Sequence, residues 1–219
     1  MPREDFERNL KGLEDDVVQL SSRVEKAIFK SIEALKERDI TASQKVVDDD
    51  DVIDEEQQAI EDRCIDLIAL EAPMAGDLRV LIAAMMVANE LERMGDYAEG
   101  IAKISVSMGN LPPLKPLIDI PRMADKSVEM LRRSTQAFVS RDVESATAVL
   151  LADDEVDDIY EQVYRELLTY MMADPSTIQR ATYLLWVAHD LERVADRTTN
   201  IAERVIYLVT CLLYTSDAA

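Results

Sequence analysis

Apolar residues recur every three or four positions along almost the whole chain. Between Asp5 and Glu37, the residues Val17, Leu20, Val24, Ala27, Ile28, Ile32 and Leu35 fall on one face of a predicted helix. The pattern breaks at Asp39 and resumes from near Thr41 to Leu70, after which Pro73 and Gly76 predict a turn. A third helix is predicted over 77–108. Gly109 suits a helix C-terminal cap, and three prolines between Asn110 and Pro116 exclude continuous helix there. The second half follows the same plan. A helix over 120–139 leads to a break at Arg141-Asp142 and a helix ending near Met172. A turn at Asp174-Pro175-Ser176 then precedes a last helix from Thr177 to about Leu208. Short loops make neighbouring helices antiparallel.

The resemblance of the halves extends to the residues themselves. The run Glu90-Leu91-Glu92-Arg93-Met94-Gly95-Asp96 returns one hundred positions later as Asp190-Leu191-Glu192-Arg193-Val194-Ala195-Asp196. Val87-Ala88 matches Val187-Ala188, and Ile101-Ala102 matches Ile201-Ala202. Arg38-Asp39 matches Arg141-Asp142 at an offset of 103, so the second turn is three residues shorter in the second copy. The predicted fold is all-α: two tandem three-helix bundles related by internal duplication. The first covers 1–110 and the second 111–210. Residues 211–219 continue neither the charge pattern nor the repeat and read as a non-native tail.

Composition narrows the function. The chain has 44 Asp and Glu against 24 Lys and Arg, a formal charge of −20. That surface repels phosphate backbones and anionic membranes and favours cationic partners. No apolar run reaches the roughly 20 residues of a membrane span, so direct membrane insertion is not expected. Cys64 and Cys211 form no disulfide or metal framework, and the start of the chain is polar, as expected of a cytoplasmic protein.

The repeated motif carries the candidate chemistry. Glu92 and Asp96 share a helix face, as do Glu192 and Asp196, and the preceding helix of each half supplies Asp50 with Asp54 and Asp153 with Asp157. Folding the first hairpin about Pro73 sets Asp54 level with Glu92 and Asp50 level with Asp96. Folding the second about Asp174 sets Asp157 beside Glu192 and Asp153 beside Asp196. One acidic pair on so acidic a chain is a solvated helix face. Two matched quartets are a candidate pair of metal sites, suited by their oxygen donors to Mg²⁺, Ca²⁺ or Mn²⁺, with ferric clusters also compatible. His189 is placed to add a nitrogen ligand in the second half, where the first has Asn89. Arg93 and Arg193 are expected to pair with neighbouring acids such as Glu90, Asp190 or Asp96. Trp186 and the Met85-Met86 pair are expected in the core. There is no phosphate loop, no nucleophile–histidine set and no Glu-x-x-His di-iron signature, so an enzyme is not the leading reading.

Together, Ala75-Gly76-Asp77-Leu78-Arg79, the two acidic motifs and the Asp50–Asp54 cluster resemble the PhoU family of phosphate-transport regulators, over about 6–210. The resemblance implies a cytoplasmic, non-enzymatic negative regulator of phosphate uptake and of the phosphate-starvation response, often a homodimer. It implies as partners the ATPase of the phosphate ABC importer and a sensor histidine kinase. It also implies iron or zinc clusters held by the Glu/Asp-x-x-x-Asp motifs, here Glu92 with Asp96 and Glu192 with Asp196, supported by Asp50, Asp54, Asp153 and Asp157. Mg or Mn in the same place would serve the residues' own chemistry. The alternatives are a metal-carboxylate bundle enzyme and a metal-free helical adaptor. The copies depart where Asp77-Leu78-Arg79 becomes Thr177-Ile178-Gln179, with Arg180 one residue later.

Overall fold

In the computed structural model, which describes residues 2–109 and 111–212, seven α-helices account for nearly all of the chain and the described residues form no strand. They are α1 (Pro2–Glu37), α2 (Ile40–Asp48), α3 (Asp51–Glu71), α4 (Ala75–Met108), α5 (Asp119–Ser140), α6 (Val143–Ala173) and α7 (Ile178–Thr210), with one 3-10 turn at Pro175–Thr177. Helices α1–α4 form the first bundle and α5–α7 the second. Most of the segment expected to be foreign, 213–219, lies outside the described residues. Cys211 closes α7 with a left-handed backbone (φ 59°).

Two predicted boundaries need correction. The helix expected over 41–70 is broken at Asp49 and Asp50, where amides bond three residues back (Asp50 N to Val47 O, 3.4 Å; Ile53 N to Asp50 O, 2.7 Å). The cause is the run Asp48-Asp49-Asp50-Asp51, four adjacent poor helix formers of like charge. The matching residues in α6 begin Leu151-Ala152, good helix formers, and that helix runs through unbroken. Gly76, expected in a turn, lies inside the first turn of α4, and the reversal is made by Ala72 in the left-handed region (φ 44°).

Where the copies agree, they agree in detail. Asp39 caps α2 by accepting the Ala42 amide (2.9 Å), and Asp142 caps α6 by accepting the Ser145 amide (3.1 Å). The residue before each cap, Arg38 and Arg141, is left-handed in both (φ 59° and 58°). Gly109 ends α4 with φ 52°, its amide bonded to Ser105 O and Val106 O.

Helix α1 buries Leu13, Val17, Leu20, Val24, Ile28 and Ile32 on one stripe. Helices α4 and α7 are buried on several sides, with small residues such as Ala88, Gly95, Ala98 and Ala102 on α4, and Ala188, Ala195 and Ala202 on α7. These two central helices pack on each other, and one continuous core joins both bundles. They run antiparallel about a local twofold axis. Arg197 donates to the Tyr97 hydroxyl (3.4 Å), a pair one hundred residues apart, and so lies near that axis. On one side Asn200 donates to Glu90 (3.1 Å). On the other, the matching pair brings Asp190 over Gly100, where a Cβ would meet its carboxylate at 3.1 Å.

The side chain of Ala72 is exposed, and at that backbone angle it costs stability that glycine would not. Ala72→Gly should stabilise the chain by about 0.5–1 kcal/mol. Arg141→Gly should do the opposite, because Arg141 also pairs with Glu14 and stacks 4.8 Å from the centre of the Phe138 ring. Chemical denaturation of the two variants checks the contrast, and equal signs would refute it.

Candidate functional site

Each acidic quartet is positioned by the packing of two helices. In the first half Ile53 on α3 presses against Gly95 on α4, where an added Cβ would meet its side chain at 3.0 Å and the Asp50 carboxylate at 3.4 Å. That close approach carries Asp50 and Asp54 to the height of the α4 acids. In the second half the corresponding residues are Val156 and Ala195, both fully buried. The hairpins bring the expected acids near one another, but shifted along the helix: among neighbouring charges, Asp54 and Asp157 feel Asp96 and Asp196 first, and Asp50 feels Glu99 ahead of Asp96. Asp54 acts on Glu92 and is itself acted on by Asp96, and Asp50 feels Asp96. Asp157 acts on Glu192, and Asp153 feels both Asp196 and Glu192.

The electrostatic consequence is plain. Burial, reinforced by Glu99, Asp54 and Asp96 and opposed by Lys103, lifts the Asp50 carboxyl to about 7. Burial, reinforced by Asp157, Asp196, Asp154 and Glu192, lifts Asp153 to about 7 as well. Asp54, Glu92, Asp157 and Glu192 are all raised, with burial the first cause and the facing acids behind it. One carboxylate oxygen in each quartet, Glu92 Oε2 and Asp153 Oδ1, is buried with no hydrogen-bond partner. Arg93 Nε faces Glu92 Oε2 at 3.6 Å, so the buried acceptor left without a partner is Asp153 Oδ1, an unfavourable state for a carboxylate oxygen.

Among the described residues no three His, Cys, Asp or Glu side chains converge closely enough to hold an ion as they stand. The donor set is nonetheless of the right kind for a hard cation: oxygen atoms only, raised in proton affinity, with an orphaned acceptor at Asp153 in the second hairpin. Ligation would take inward rotation of Asp and Glu side chains already on neighbouring turns.

Arg93 pairs with Asp96 as expected, while several other neighbours differ from expectation. Arg93 lies 3.6 Å from Glu92 and 3.4 Å from Asp96, and Arg193 lies 2.5 Å from Asp196. Glu90 is taken by Arg197 (3.4 Å) and Asn200 instead. His189 is exposed and pairs with Asp190 (3.8 Å), at the edge of the second quartet. Trp186 is not core. It is 52% exposed, edge-to-face with Tyr183 at 5.8 Å, because it falls on the outer side of α7 next to the buried Val187. Of the methionine pair, Met85 packs on the core while Met86 is largely outside. Glu99, missed by the sequence reading, joins the first quartet. It stands three residues after Asp96 on the same helix face, a readable signal, but its counterpart is Thr199, so the repeat does not mark it.

The PhoU domain model matches the chain twice, over 17–105 and 120–205. The phosphate-specific transport system accessory protein PhoU homolog of Aquifex aeolicus is 40% identical over 92% of this chain and 91% of its own length. That of Clostridium acetobutylicum is 36% identical over 96% of each. The crystal structure of PhoU from Pseudomonas aeruginosa superposes with a TM-score of 0.89 at 31% identity, covering 94% of this chain and all of that one. PhoU from Streptococcus pneumoniae gives 0.89 at 31% identity, over 96% and 99% of the two chains. Duplicated helical bundles, a repeated acidic hairpin and relatives of matching length agree, and the chain belongs to the PhoU family.

Proposed function

We propose that this chain is a non-enzymatic, cytoplasmic negative regulator of phosphate uptake and of the response to phosphate starvation. Its relatives are named as accessory proteins of a phosphate-specific transport system. It would bind the ATPase of the phosphate importer and the cognate sensor kinase, act as a homodimer, and carry metal on both acidic hairpins. No described helix is long and apolar enough to cross a membrane, so contact with the importer would be made through protein faces. The observation that supports the metal reading is the crowding of raised carboxyls in each quartet, with Asp153 Oδ1 buried and without a hydrogen-bond partner. Glu92, Asp96, Asp50 and Asp54 would hold one site, and Glu192, Asp196, Asp153 and Asp157 the other. A bound cation there neutralises crowded charge and ties α3 to α4 and α6 to α7. Carboxylate-only donors favour Mg²⁺, Mn²⁺ or iron, with zinc less suited.

Two features favour docking over catalysis. The groove touching Asp50 encloses about 70 Å³, small against the several hundred Å³ of an organic substrate site. The outer face of α4 exposes Leu78, Ile82 and Met86, and the matching positions of α7 carry Ile178, Thr182 and Trp186. An exposed apolar row repeated by the internal symmetry suits a partner surface. The same rows also favour a second reading, a helical adaptor that docks without metal.

In a pull-down, the full chain should retain the importer ATPase, and Ile82→Asp with Trp186→Asp should lose it by tenfold or more while keeping Mn²⁺ uptake (about 1.4 kcal/mol per tenfold). Absence of binding with and without Mg²⁺ or Mn²⁺ would sink the regulator. Elemental analysis after loading should show metal in the wild type and its loss in Asp96→Asn with Asp196→Asn. Docking that persists in the metal-free double variant would favour the adaptor.

Asp50 and Asp153 give a pH test. Both hold protons more tightly folded than unfolded, where aspartate titrates at about 3.9. Their protonated forms therefore favour the fold below about pH 4, and that contribution is lost as pH rises through about 7. Melting temperature of the ion-free protein should fall over this interval relative to Asp50→Asn with Asp153→Asn, and saturating Mn²⁺ should restore it. Parallel profiles for the two proteins would refute the assignment.

A further inference from the structure

The two quartets share their four acids but not their surroundings. At the offset of one hundred, Glu99 and Lys103 become Thr199 and Glu203, so the first hairpin alone has a fifth carboxylate and a lysine. Lys103 Nζ lies 2.5 Å from Glu99 Oε1. The carboxylate is 19% exposed and the lysine 58%, so the anion is fixed against the helices while the ammonium sits in water at the end of a flexible stem. Glu99 stands three residues after Asp96 on the same face of α4, toward Asp50 and Asp54, on which it acts, and the lysine acts on Asp50 and is acted on by Asp96. Each quartet has its own arginine, Arg93 approaching Glu92 and Asp96 and Arg193 pairing with Asp196 and acting on Glu192, which His189 also reaches. The second quartet has no lysine, and Glu203 lines a separate cavity where α4 crosses α7.

We propose that Lys103 is a built-in counter-cation covering a latent fifth oxygen ligand, Glu99, so that a divalent ion fills the second hairpin first and the first only by displacing Lys103. This rests on the metal reading of both hairpins. A glutamate followed four residues later by a lysine is the favourable order on a helix, yet such an exposed pair is weak. A divalent ion in an all-oxygen site can displace it, and it then gains a ligand the second site lacks. The device sets a threshold: the halves respond to different cation concentrations although their four acids are the same.

The test uses the full-length protein stripped of metal, dialysed against graded Mn²⁺ and, in parallel, Zn²⁺, with bound metal counted by elemental analysis. Asp153→Asn with Asp196→Asn isolates the first hairpin, and Asp50→Asn with Asp96→Asn isolates the second. The second should bind more tightly. In the first-hairpin background, Lys103→Met should tighten binding roughly three- to tenfold. Lys103→Arg should leave it unchanged, and adding Glu99→Gln to Lys103→Met should cancel the gain. In the second-hairpin background Lys103→Met should do nothing. First-hairpin affinity that is unchanged or weakened by Lys103→Met, with second-hairpin binding intact, overturns the proposal and leaves the metal reading standing. No uptake of either ion by any variant removes both.

Discussion

Helix packing forces like charges together in this molecule. Burying a side chain such as Ile53, Leu91 or Met94 is worth about 1.5–3 kcal/mol each, while a like-charged pair on a helix surface costs only about 0.2–0.5 kcal/mol. The core therefore dictates where Asp50, Asp54, Glu92 and Asp96 stand, and the acids have to tolerate it. The strain of that arrangement appears in their proton affinity and in the unsatisfied buried oxygen of Asp153. A cation is the simplest species that relieves both.

Much of this was legible before any coordinates. The repeat marks two equivalent halves, and at the axis that relates them residues one hundred apart meet, as Tyr97 and Arg197 do. Turn position brings the acids of each hairpin to neighbouring turns, because an antiparallel hairpin leaves little freedom once its reversal is fixed. The unread parts share a physical cause. The break at Asp49 and Asp50 depends on charge repulsion inside a helix, which hydrophobic periodicity does not register. The size of Trp186 suggests the core, whereas the direction it takes from α7 decides its exposure. Glu99 is present in one copy alone, with Thr199 in the other, so the repeat carries no signal for it.

The single core shared by both bundles bears on how the halves communicate. Helices α4 and α7 each carry an acidic motif on one face and the interface between the copies on another. A change in spacing between α3 and α4 thus presses on the helix that contacts α7, with no hinge or loop to absorb it. Asp190 shows how tightly that interface is drawn. Burial, against the relief from His189, raises its carboxyl to about 6, while Glu90, its mate across the axis, has Arg197 and Asn200.

The divergence of the copies separates what packing constrains from what it leaves free. Ile53 opposite Gly95 becomes Val156 opposite Ala195: one methyl group leaves one helix and appears on the other. Swaps that conserve volume are the ones a packed core tolerates. The four acids then keep their heights in both halves. On the water side, where no neighbour has to fit, Glu99 and Lys103 have become Thr199 and Glu203. Geometry has been held constant while the local charge has changed, which is the pattern expected if both hairpins take a similar ligand and differ in how readily they take it.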